Sequence, residues 1–262
     1  MHHDDIQFSD GDAYEQSMGV WSRLAGEAFL PFVNAPPAAQ WLDVGCGNGA
    51  FTELILDHCE PRSVEGIDPS QGQISFARTR LDPERCRLQV ASAAALPFED
   101  ETFDVVNMAL VLFFVPNPAN ALSQMARAAR SGGLVTAYSW DMMNGGFPFD
   151  DFQSALRDMK IEPTMPPSCY ASQMLSKKGL WREAELTDIR TSVIEVQRVY
   201  ESFDDLWTSS TLVASIRPLV ARMPDEKVAE LKDRLRDSNP ADTLGHVACR
   251  ARANAIVGRR GY

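Results

Sequence analysis

The stretch WLDVGCGNGAFTELI, residues 41–55, decides the fold. It begins with an apolar run that contains Asp43, and three glycines follow at alternate positions: Gly45, Gly47 and Gly49. The apolar residues after the glycines are spaced as one face of a helix. The stretch therefore predicts a buried β-strand, a tight glycine turn and the start of a helix. Such a turn allows positive φ and close approach of a ligand to the backbone, and free N–H groups at a helix start attract an anionic group.

The glycine turn alone leaves more than one interpretation open. The pattern Gly45-x-Gly47-x-x-Ala50 also fits the degenerate fingerprint of dinucleotide-binding proteins, in which a pyrophosphate lies at the turn. Alternatively, the glycines serve only the tight packing of the strand against the helix. Features further along the chain have to distinguish these interpretations.

The composition is that of a globular protein. The chain has 262 residues, of which 45% are hydrophobic and 23% charged, and this length fits one large or two small domains. The net charge of −11 argues against binding to nucleic-acid phosphates, which requires clustered Lys and Arg. We therefore expect a small-molecule substrate and no nucleic-acid partner.

The cysteines indicate the cellular compartment, and the histidines bear on metal binding. Five cysteines, odd in number and without a C-x-x-C pair, are typical of reduced thiols in a cytoplasmic protein. Four histidines, two of them at positions 2 and 3, argue against a metal site. The longest apolar stretch, MALVLFFVP at 108–116, is too short to span a bilayer, and we expect no signal peptide. These patterns do not predict the oligomeric state.

Strands and helices alternate between residues 39 and 140. After the glycine turn, SVEGIDPS at 63–70 predicts a second strand that ends in Asp68, and further strands are expected at 86–91, 103–110 and 134–140. A helix is predicted at 117–130, with Ser131-Gly132-Gly133 as its stop. Asp68 follows Asp43 by 25 residues, about the spacing at which an acid of the second strand meets a ribose. The alternation predicts a parallel, doubly wound sheet.

The segments outside this alternation are expected to cover the ligand. We treat residues 1–262 as a single domain whose cofactor-binding core is 39–140. Residues 1–38 form an N-terminal cap with a helix at 13–32, which brings Tyr14 and Trp21 over the ligand. The cover and insertion segments are 141–186 and 200–243, and two terminal strands lie at 187–199 and 244–258. A helical stretch at 202–237, placed between these strands, is a candidate lid.

The order of motifs resembles that of the class I S-adenosylmethionine-dependent methyltransferases, and most of all the small-molecule branch with the quinone and sterol methyltransferases. The motifs that carry this resemblance are LDVGCGNGAFT, GIDPS and SAAALPF, and it covers residues 13–140 well and the last strand more loosely. It implies an α/β, doubly wound, Rossmann-like sheet of seven strands, in the order 3-2-1-4-5-7-6 with the last strand antiparallel, and a helical cap. It also implies S-adenosylmethionine as cofactor and S-adenosylhomocysteine as product.

The resemblance assigns roles to particular residues. The acid matching Asp43 anchors the loop and the amine region of the cofactor, Asp68 holds both ribose hydroxyls, and the SAAALPF segment lines the adenine. Ser92 stands where the family usually has an acid that accepts from the adenine amino group, so adenine recognition is expected to depend more on backbone groups and packing. The predicted cofactor-binding residues are Asp43, Gly45, Cys46, Gly47, Asn48, Gly49, Asp68, Pro69, Ser92, Ala93, Ala94, Asn107, Met108, Tyr14 and Trp21.

Methyl transfer from a sulfonium needs an acceptor held close and in line, so positioning and exclusion of water supply much of the rate. An acid–base residue is needed only for a protonated acceptor. No strong base is evident, since His246 and His58 are more typical of structural positions. At the carboxyl ends of strands four and five, where ligands bind in such sheets, the predicted acceptor pocket comprises Phe113, Phe114, Trp140, Asp141 and Met142, with Phe147 and Phe149 from the cover.

Two other functions stay open from the sequence. An NAD-type oxidoreductase would use the same glycine loop, although Asp43 stands where that fold usually has an apolar residue. A catalytically silent nucleotide-binding protein would keep the pocket without turnover, and both Ser92 and the lack of an evident base are compatible with it.

Overall fold

The structure is a computed structural model that describes residues 11–261. The polar N-terminal residues, including His2 and His3, lie outside the described residues, as does the start of the predicted cap at 1–38.

One seven-stranded sheet runs through the molecule in the order β3-β2-β1-β4-β5-β7-β6. Its β7 is antiparallel to both of its neighbours, while the pairs from β3 to β5 are parallel. These observations confirm the predicted fold class and strand order. The strands are β1 Gln40–Val44, β2 Ser63–Asp68, β3 Cys86–Val90, β4 Phe103–Ala109, β5 Ala129–Trp140, β6 Leu186–Tyr200 and β7 Val247–Arg260.

Helices cover both faces of the sheet. They are α1 Gly11–Tyr14, α2 Val20–Val33, α3 Ala50–His58, α4 Gln71–Arg80, α5 Pro118–Ala128, α6 Asp150–Asp158, α7 Met174–Glu183, α8 Phe203–Thr211, α9 Arg217–Ala221 and α10 Asp225–Ser238. A π-helical segment, Glu15–Gly19, joins α1 to α2, so the predicted helix at 13–32 is nearly continuous from 11 to 33. Short π segments are frequent at functional sites.

The hydrophobic core lies on both faces of the sheet because successive strand side chains point to opposite faces. On one face Trp41 of β1 and Val105 of β4 pack with the apolar side of α2, and on the other Leu42 and Val106 pack with α5. Helix α2 buries seven residues, which fixes it against α3 and β6.

One predicted boundary was wrong because the glycines after α5 have another role here. Ser131-Gly132-Gly133 does not stop the helix: α5 ends at Ala128, and these residues lie in the first part of β5, where its register with β4 is irregular. The predicted helical stretch at 202–237 contains the three helices α8, α9 and α10. Pro218 lies in the first turn of α9 and Pro224 caps α10, and a proline breaks a helix because it lacks an N–H donor.

The last strand begins at Val247 rather than 244. The Asp242 carboxylate accepts hydrogen bonds from the backbone N–H groups of Leu244 and His246 at 2.9 and 2.8 Å. This side-chain turn holds 242–246 out of the sheet. His246 therefore lies before the strand, within 3.7 Å of carboxylate oxygens of Glu201 and Asp242.

Candidate active site

The loop between β1 and α3 contains three glycines with positive φ, but the reason why glycine is needed differs between positions. A Cβ at Gly45 would lie 2.7 Å from Val111, so packing excludes any side chain there. At Gly47, with φ of 54°, the nearest heavy atom to a Cβ would be Gln73 Oε1 at 3.9 Å. No packing neighbour therefore requires glycine at position 47. A side chain there would occupy the cleft that the loop faces. Glycine at position 47 instead lets a ligand approach the backbone closely, as a ligand-contacting turn requires.

Asp68 ends β2 opposite this loop. Its Oδ2 accepts a hydrogen bond from Gly47 N–H at 3.1 Å, and its Oδ1 accepts one from Ser70 N–H at 2.8 Å. Burial raises the pKa of this half-buried carboxyl, while the two backbone bonds lower it. Each oxygen keeps a lone pair for a further donor. Asp68 thus stabilises the glycine loop and can also accept from hydroxyls of a ligand.

Asp43 lies beneath the loop and is fully buried. Thr52 of α3 donates to its Oδ2 at 2.7 Å, and Asn107 of β4 donates to its Oδ1 at 3.3 Å. Asn107 in turn accepts from Thr136 at 2.8 Å. Burial raises the pKa of Asp43 to about 6, against the lowering effect of its two hydrogen bonds. The register pairs Asp43 with Asn107 and Asn107 with Thr136, so the network ties three strands to α3.

The loop borders a cleft of about 720 Å³ at the carboxyl ends of β1 and β2. Most of the predicted cofactor-binding residues line it: Tyr14, Gly45, Cys46, Gly47, Asn48, Asp68, Pro69, Ser92, Ala93 and Ala94. Burial raises the pKa of the Cys46 thiol well above its usual value, so it stays protonated. Ser92 is exposed at the rim, where its hydroxyl accepts from Ala94 N–H at 3.2 Å.

Five predicted cofactor residues do not line the cleft. Asp43 and Asn107 form the buried network, Met108 lies in the core, and a Cβ at Gly49 would meet Leu81 at 2.7 Å. Trp21 is also fully buried: its indole donates to the Tyr200 hydroxyl at 3.0 Å. This side chain packs toward β6 because it lies on the buried face of α2.

Several residues of the cleft escaped the sequence analysis. Ser70 and Gln73 follow Asp68 directly, and the known tendency of ligands to bind after strand ends could have indicated them. The others come from α2 and α3, from the residue after β3, from β5, and from the end of β4 with the residues that follow it, and only the folded chain brings them together. They are Ser22, Ala50, Phe51, Ala91, Ala109, Leu110, Val111, Val115, Pro116, Asn117 and Tyr138, with Phe114 predicted for the acceptor instead.

A second cavity of about 660 Å³ adjoins the first, and we call it the acceptor chamber. The two cavities share Tyr14, Leu110 and Phe114 as lining residues. Of the residues predicted for the acceptor pocket, five line it: Phe113, Phe114, Trp140, Met142 and Phe147. Parts of the predicted cap helix and of the predicted lid, the latter within residues 212–222, also line the chamber. The remaining lining residues, which the sequence did not indicate, are Leu110, Gln153, Thr164 and Pro166.

Asp141 and Phe149, both predicted for this pocket, lie outside its lining. The Asp141 carboxylate is buried and pairs with Arg252 of β7 at 3.1 Å, so it points toward the antiparallel strand. The Phe149 ring packs edge-on against Trp21 in the core, with centroids 6.5 Å apart.

Among the described residues that line the acceptor chamber, none is a histidine or a carboxylate. Tyr14 is the one tyrosine of that set, and burial raises the pKa of its phenol, which is hydrogen-bonded to Ser22 at 2.7 Å. The chamber is therefore suited to hold and shield an acceptor rather than to remove a proton from it.

The sheet order and the cleft at the ends of β1 and β2 define the class I methyltransferase fold. Residues 42–137 match the protein family described as a methyltransferase domain. Residues 42–137 thus match a methyltransferase domain, and the chain around them has the class I methyltransferase fold. In the described part of the chain, no helix has both the length and the apolar character that a membrane crossing requires.

Similar proteins agree with this family. A demethylmenaquinone methyltransferase of Bacillus licheniformis is 34% identical over 108 residues, which are 40% of this chain and 47% of that protein. The chain spans about half the length of the curated relatives it matches, from 40% to 51% in the most similar cases.

Two solved structures show the same fold at 15% identity. The YcgJ protein of Bacillus subtilis has a TM-score of 0.60, with 91% of this chain and 98% of that chain covered. Phosphoethanolamine N-methyltransferase 2 of Haemonchus contortus, solved with phosphomonomethylethanolamine and S-adenosylhomocysteine, has a TM-score of 0.58, with 95% of this chain and 56% of that chain covered.

Proposed function

We propose that this protein transfers a methyl group from S-adenosylmethionine to a small, largely apolar acceptor. The observation that carries the proposal is the junction of the two cavities at Tyr14, Leu110 and Phe114. A cofactor in the cleft beside Asp68 and an acceptor in the adjoining chamber would meet there. All five cysteines are free thiols, which supports a cytoplasmic location.

The residues of the cleft fit this cofactor. Asp68 keeps acceptor capacity for the two ribose hydroxyls, Gly47 leaves room for close backbone contact, and residues 91–94 offer a rim for the adenine. When bound, the cofactor supplies a methyl group that is already activated by a positive sulfonium. Asp43 acts through the loop, since its carboxylate is enclosed by Thr52 and Asn107.

The chain contributes positioning and exclusion of water rather than proton removal. Phe113, Phe114 and Trp140 present flat apolar surfaces that orient an acceptor and keep water from the junction. The accepting atom forms the new bond to the methyl carbon, while the electron pair of the broken carbon–sulfur bond stays on sulfur. Any proton on the acceptor leaves to solvent, because the described lining holds no carboxylate or histidine to receive it. An acceptor that ionises by itself or carries a free lone pair therefore suits this site.

Calorimetry and turnover test the proposal. We expect S-adenosylmethionine and S-adenosylhomocysteine to bind and NAD not to bind. Turnover is followed as S-adenosylhomocysteine formed with a panel of phenols, amines and quinone precursors. Binding of NAD alone would contradict the proposed cofactor, and cofactor binding without turnover on the panel would favour a silent binding protein.

A further inference from the structure

The side chain of Tyr138 in β5 carries a hydroxyl group that the fold itself does not use. The residue lines the cleft beside the glycine loop and is only 1% exposed. Its hydroxyl has no hydrogen-bond partner within residues 11–261. It is nevertheless not one of the fully enclosed atoms without a partner in this part of the chain, which belong to Trp41, Trp140 and Gln153. The small exposed part of Tyr138 therefore includes the hydroxyl, which opens into the cleft.

The packing of Tyr138 requires an aromatic ring but no hydroxyl. Its ring lies against those of Phe29 and Phe51, with centroids 4.6 and 5.7 Å apart. Phenylalanine would make the same ring contacts. The hydroxyl of Tyr14, in the same cleft lining, is instead bonded to Ser22 at 2.7 Å. The hydroxyl of Tyr138 thus needs an explanation other than packing, and its position makes it available to a ligand.

The strand order places Tyr138 at the end of the cleft away from Asp68. The strands from Asp68 to Tyr138 are β2, β1, β4 and β5, and three strand spacings amount to about 14 Å. Tyr138 pairs in register with Ala109, the last residue of β4. A cofactor with its adenine at residues 91–94 and its ribose at Asp68 continues in this direction through its sulfur atom. Its amino-acid arm is the part that reaches β5.

The Tyr138 hydroxyl is a hydrogen-bond donor in a cleft that offers no positive side chain. Burial, with smaller contributions from Tyr14 and Asp43, raises the pKa of this phenol well above its usual value, so it stays protonated. Lysine, arginine and histidine are all missing from the described part of the cleft lining. A carboxylate bound there depends on neutral donors. The ammonium group of the same amino-acid arm balances the charge of the carboxylate, so a neutral donor suits this zwitterion.

We infer that the Tyr138 hydroxyl donates a hydrogen bond to the carboxylate of the cofactor's amino-acid arm and selects cofactors that carry this group. The inference rests on the proposed function and adds a residue that decides which adenosyl thioethers the cleft accepts. A thioether without the carboxylate leaves the hydroxyl without its partner. Tyr138 lies outside the described lining of the acceptor chamber, so we expect it to determine the choice of cofactor and not that of the acceptor.

Calorimetry with three adenosyl thioethers tests this inference on the whole protein. S-adenosylhomocysteine carries the full arm, its decarboxylated analogue keeps the ammonium group, and 5′-methylthioadenosine lacks the arm. We expect the wild type to bind S-adenosylhomocysteine at least about tenfold more tightly than the decarboxylated analogue, the scale of a hydrogen bond to a charged group. Tyr138→Phe should weaken binding of S-adenosylhomocysteine about tenfold and change the affinities of the two other ligands by less than about twofold.

Tyr200→Phe is the matched control, because Tyr200 is also buried and lies outside the described lining of both cavities. Its hydroxyl accepts a hydrogen bond from Trp21 Nε1 at 3.0 Å. The control should lower the melting temperature, since the indole N–H loses its acceptor, and should keep the affinity for S-adenosylhomocysteine. Tyr138→Phe should show the opposite pattern: it keeps or raises the melting temperature of the free protein, because the lost hydroxyl has no partner among the described residues.

Unchanged binding of S-adenosylhomocysteine in Tyr138→Phe would overturn the inference. An equal loss for S-adenosylhomocysteine and its decarboxylated analogue would also contradict it, because the hydroxyl would then serve the ammonium group or the shape of the cleft. A wild type that binds these two ligands equally well would show that the carboxylate is not recognised. Failure of the wild type to bind S-adenosylhomocysteine would contradict the proposed function itself, whereas binding without the carboxylate preference would contradict only this inference.

Discussion

Glu15 of the π-helical segment joins the N-terminal helix to the glycine loop. Its Oε1 accepts a hydrogen bond from Asn48 Nδ2 at 2.5 Å and pairs with Arg80 Nη1 at 2.7 Å. Asn48 also accepts from the N–H of Ala50 at the start of α3. The helix that covers the cleft is thus bonded directly to the loop that borders it.

We expect Glu15→Ala to weaken binding of S-adenosylmethionine by about three- to tenfold, the scale of one ordinary net hydrogen bond. The physical reason is that the loop loses a side-chain anchor. Calorimetry measures the affinity. Glu53→Ala is the control: it removes the other ion pairs of Arg80, at 2.6 Å, and of Arg23, at 3.0 Å, without touching the loop. Equal losses in the two variants would show that the loop bond has no specific role.

Asp68→Ala should weaken cofactor binding by about 2–3 kcal/mol, because a charged acceptor of two hydroxyls is lost. Asp68→Asn should cost less, since an amide oxygen still accepts one bond. The bonds to Gly47 and Ser70 predict a lower free energy of unfolding for Asp68→Ala, by about 1–2 kcal/mol.

Calorimetry, with circular dichroism to confirm folding, separates the two effects of Asp68. Unchanged affinity in a folded Asp68→Ala variant would remove the proposed ribose contact.

Alanine substitutions separate the effects of packing, ligand contact and backbone strain at three positions, Gly45, Gly47 and Gly245. Each has a positive φ, so alanine costs about 1–2 kcal/mol at each from strain alone. Gly45→Ala adds a clash at 2.7 Å with Val111 and should unfold most easily. Gly47→Ala has no such clash, yet it should lower cofactor affinity at least about tenfold, since its methyl group enters the cleft.

Gly245→Ala is the matched control for the alanine series, because nothing lies within 4 Å of its Cβ and the residue is remote from the cleft lining. It should lose stability as Gly47→Ala does and keep full affinity for the cofactor. Denaturant unfolding and calorimetry give the two quantities. Full affinity in Gly47→Ala would show that this glycine serves the backbone alone.

The sequence predicted the local part of the cavity lining and only some of the part that distant segments assemble. Gly47 and Asp68 could be assigned because a strand followed by a glycine turn, and an acid at the next strand end, fix their own geometry within a few residues. Trp21 could not, since its helix has two faces and only the position of β6 decides which is buried. Gln153 was not identified because it comes to line a cavity with Trp140 and parts of 212–222 only in the folded chain, and these segments are distant in sequence.

The same reasoning explains the fold boundaries. The strand order was predicted from the family resemblance, and the observed sheet has this order. The breaks between the helices of 202–237 coincide with Pro218 and Pro224, each of which lies at the start of a helix.

Lys177 is fully buried in α7 and donates a hydrogen bond to Ser139. Burial lowers its pKa to about 7, against the raising effect of Asp141. Between pH 7 and about 10.5, the usual pKa of an unfolded lysine, the unfolded chain binds a proton that the folded chain does not. The free energy of unfolding contributed by Lys177 therefore rises with pH across this window, by up to about 1.4 kcal/mol per pH unit.

Lys177→Met should abolish that rise and be the more stable protein at pH 7, because no buried ammonium remains. Denaturant unfolding at pH 7.0, 7.75 and 8.5 gives the difference between variant and wild type at each pH. The control is Lys178→Met, a half-buried neighbour in the same helix. A difference between Lys177→Met and wild type that is constant with pH would show that Lys177 stays protonated in the folded chain.

Closure over the ligands is expected to involve the least buried part of the chamber wall. The sequence suggested residues 14–21 and 202–237 as a lid, and burial now narrows the mobile part. Helix α9, Arg217–Ala221, has no buried residue although it lines the acceptor chamber, whereas α2 buries seven. Because low burial favours local opening, we expect rapid hydrogen exchange in α9 without ligand and slow exchange in α2.

Addition of S-adenosylhomocysteine with 2-naphthol should protect α9 and the π-helical segment, Glu15–Gly19, several-fold, while β1, β4 and β5 stay protected throughout. The reason is that an occupied chamber gives the exposed side of α9 contacts that the free protein lacks, and closure then excludes water from the junction. Mass spectrometry of exchanged peptides measures each segment separately. Protection of α9 that is already high in the free protein, and does not change with either ligand, would mean that this wall is permanently docked and that the chamber fills without closing.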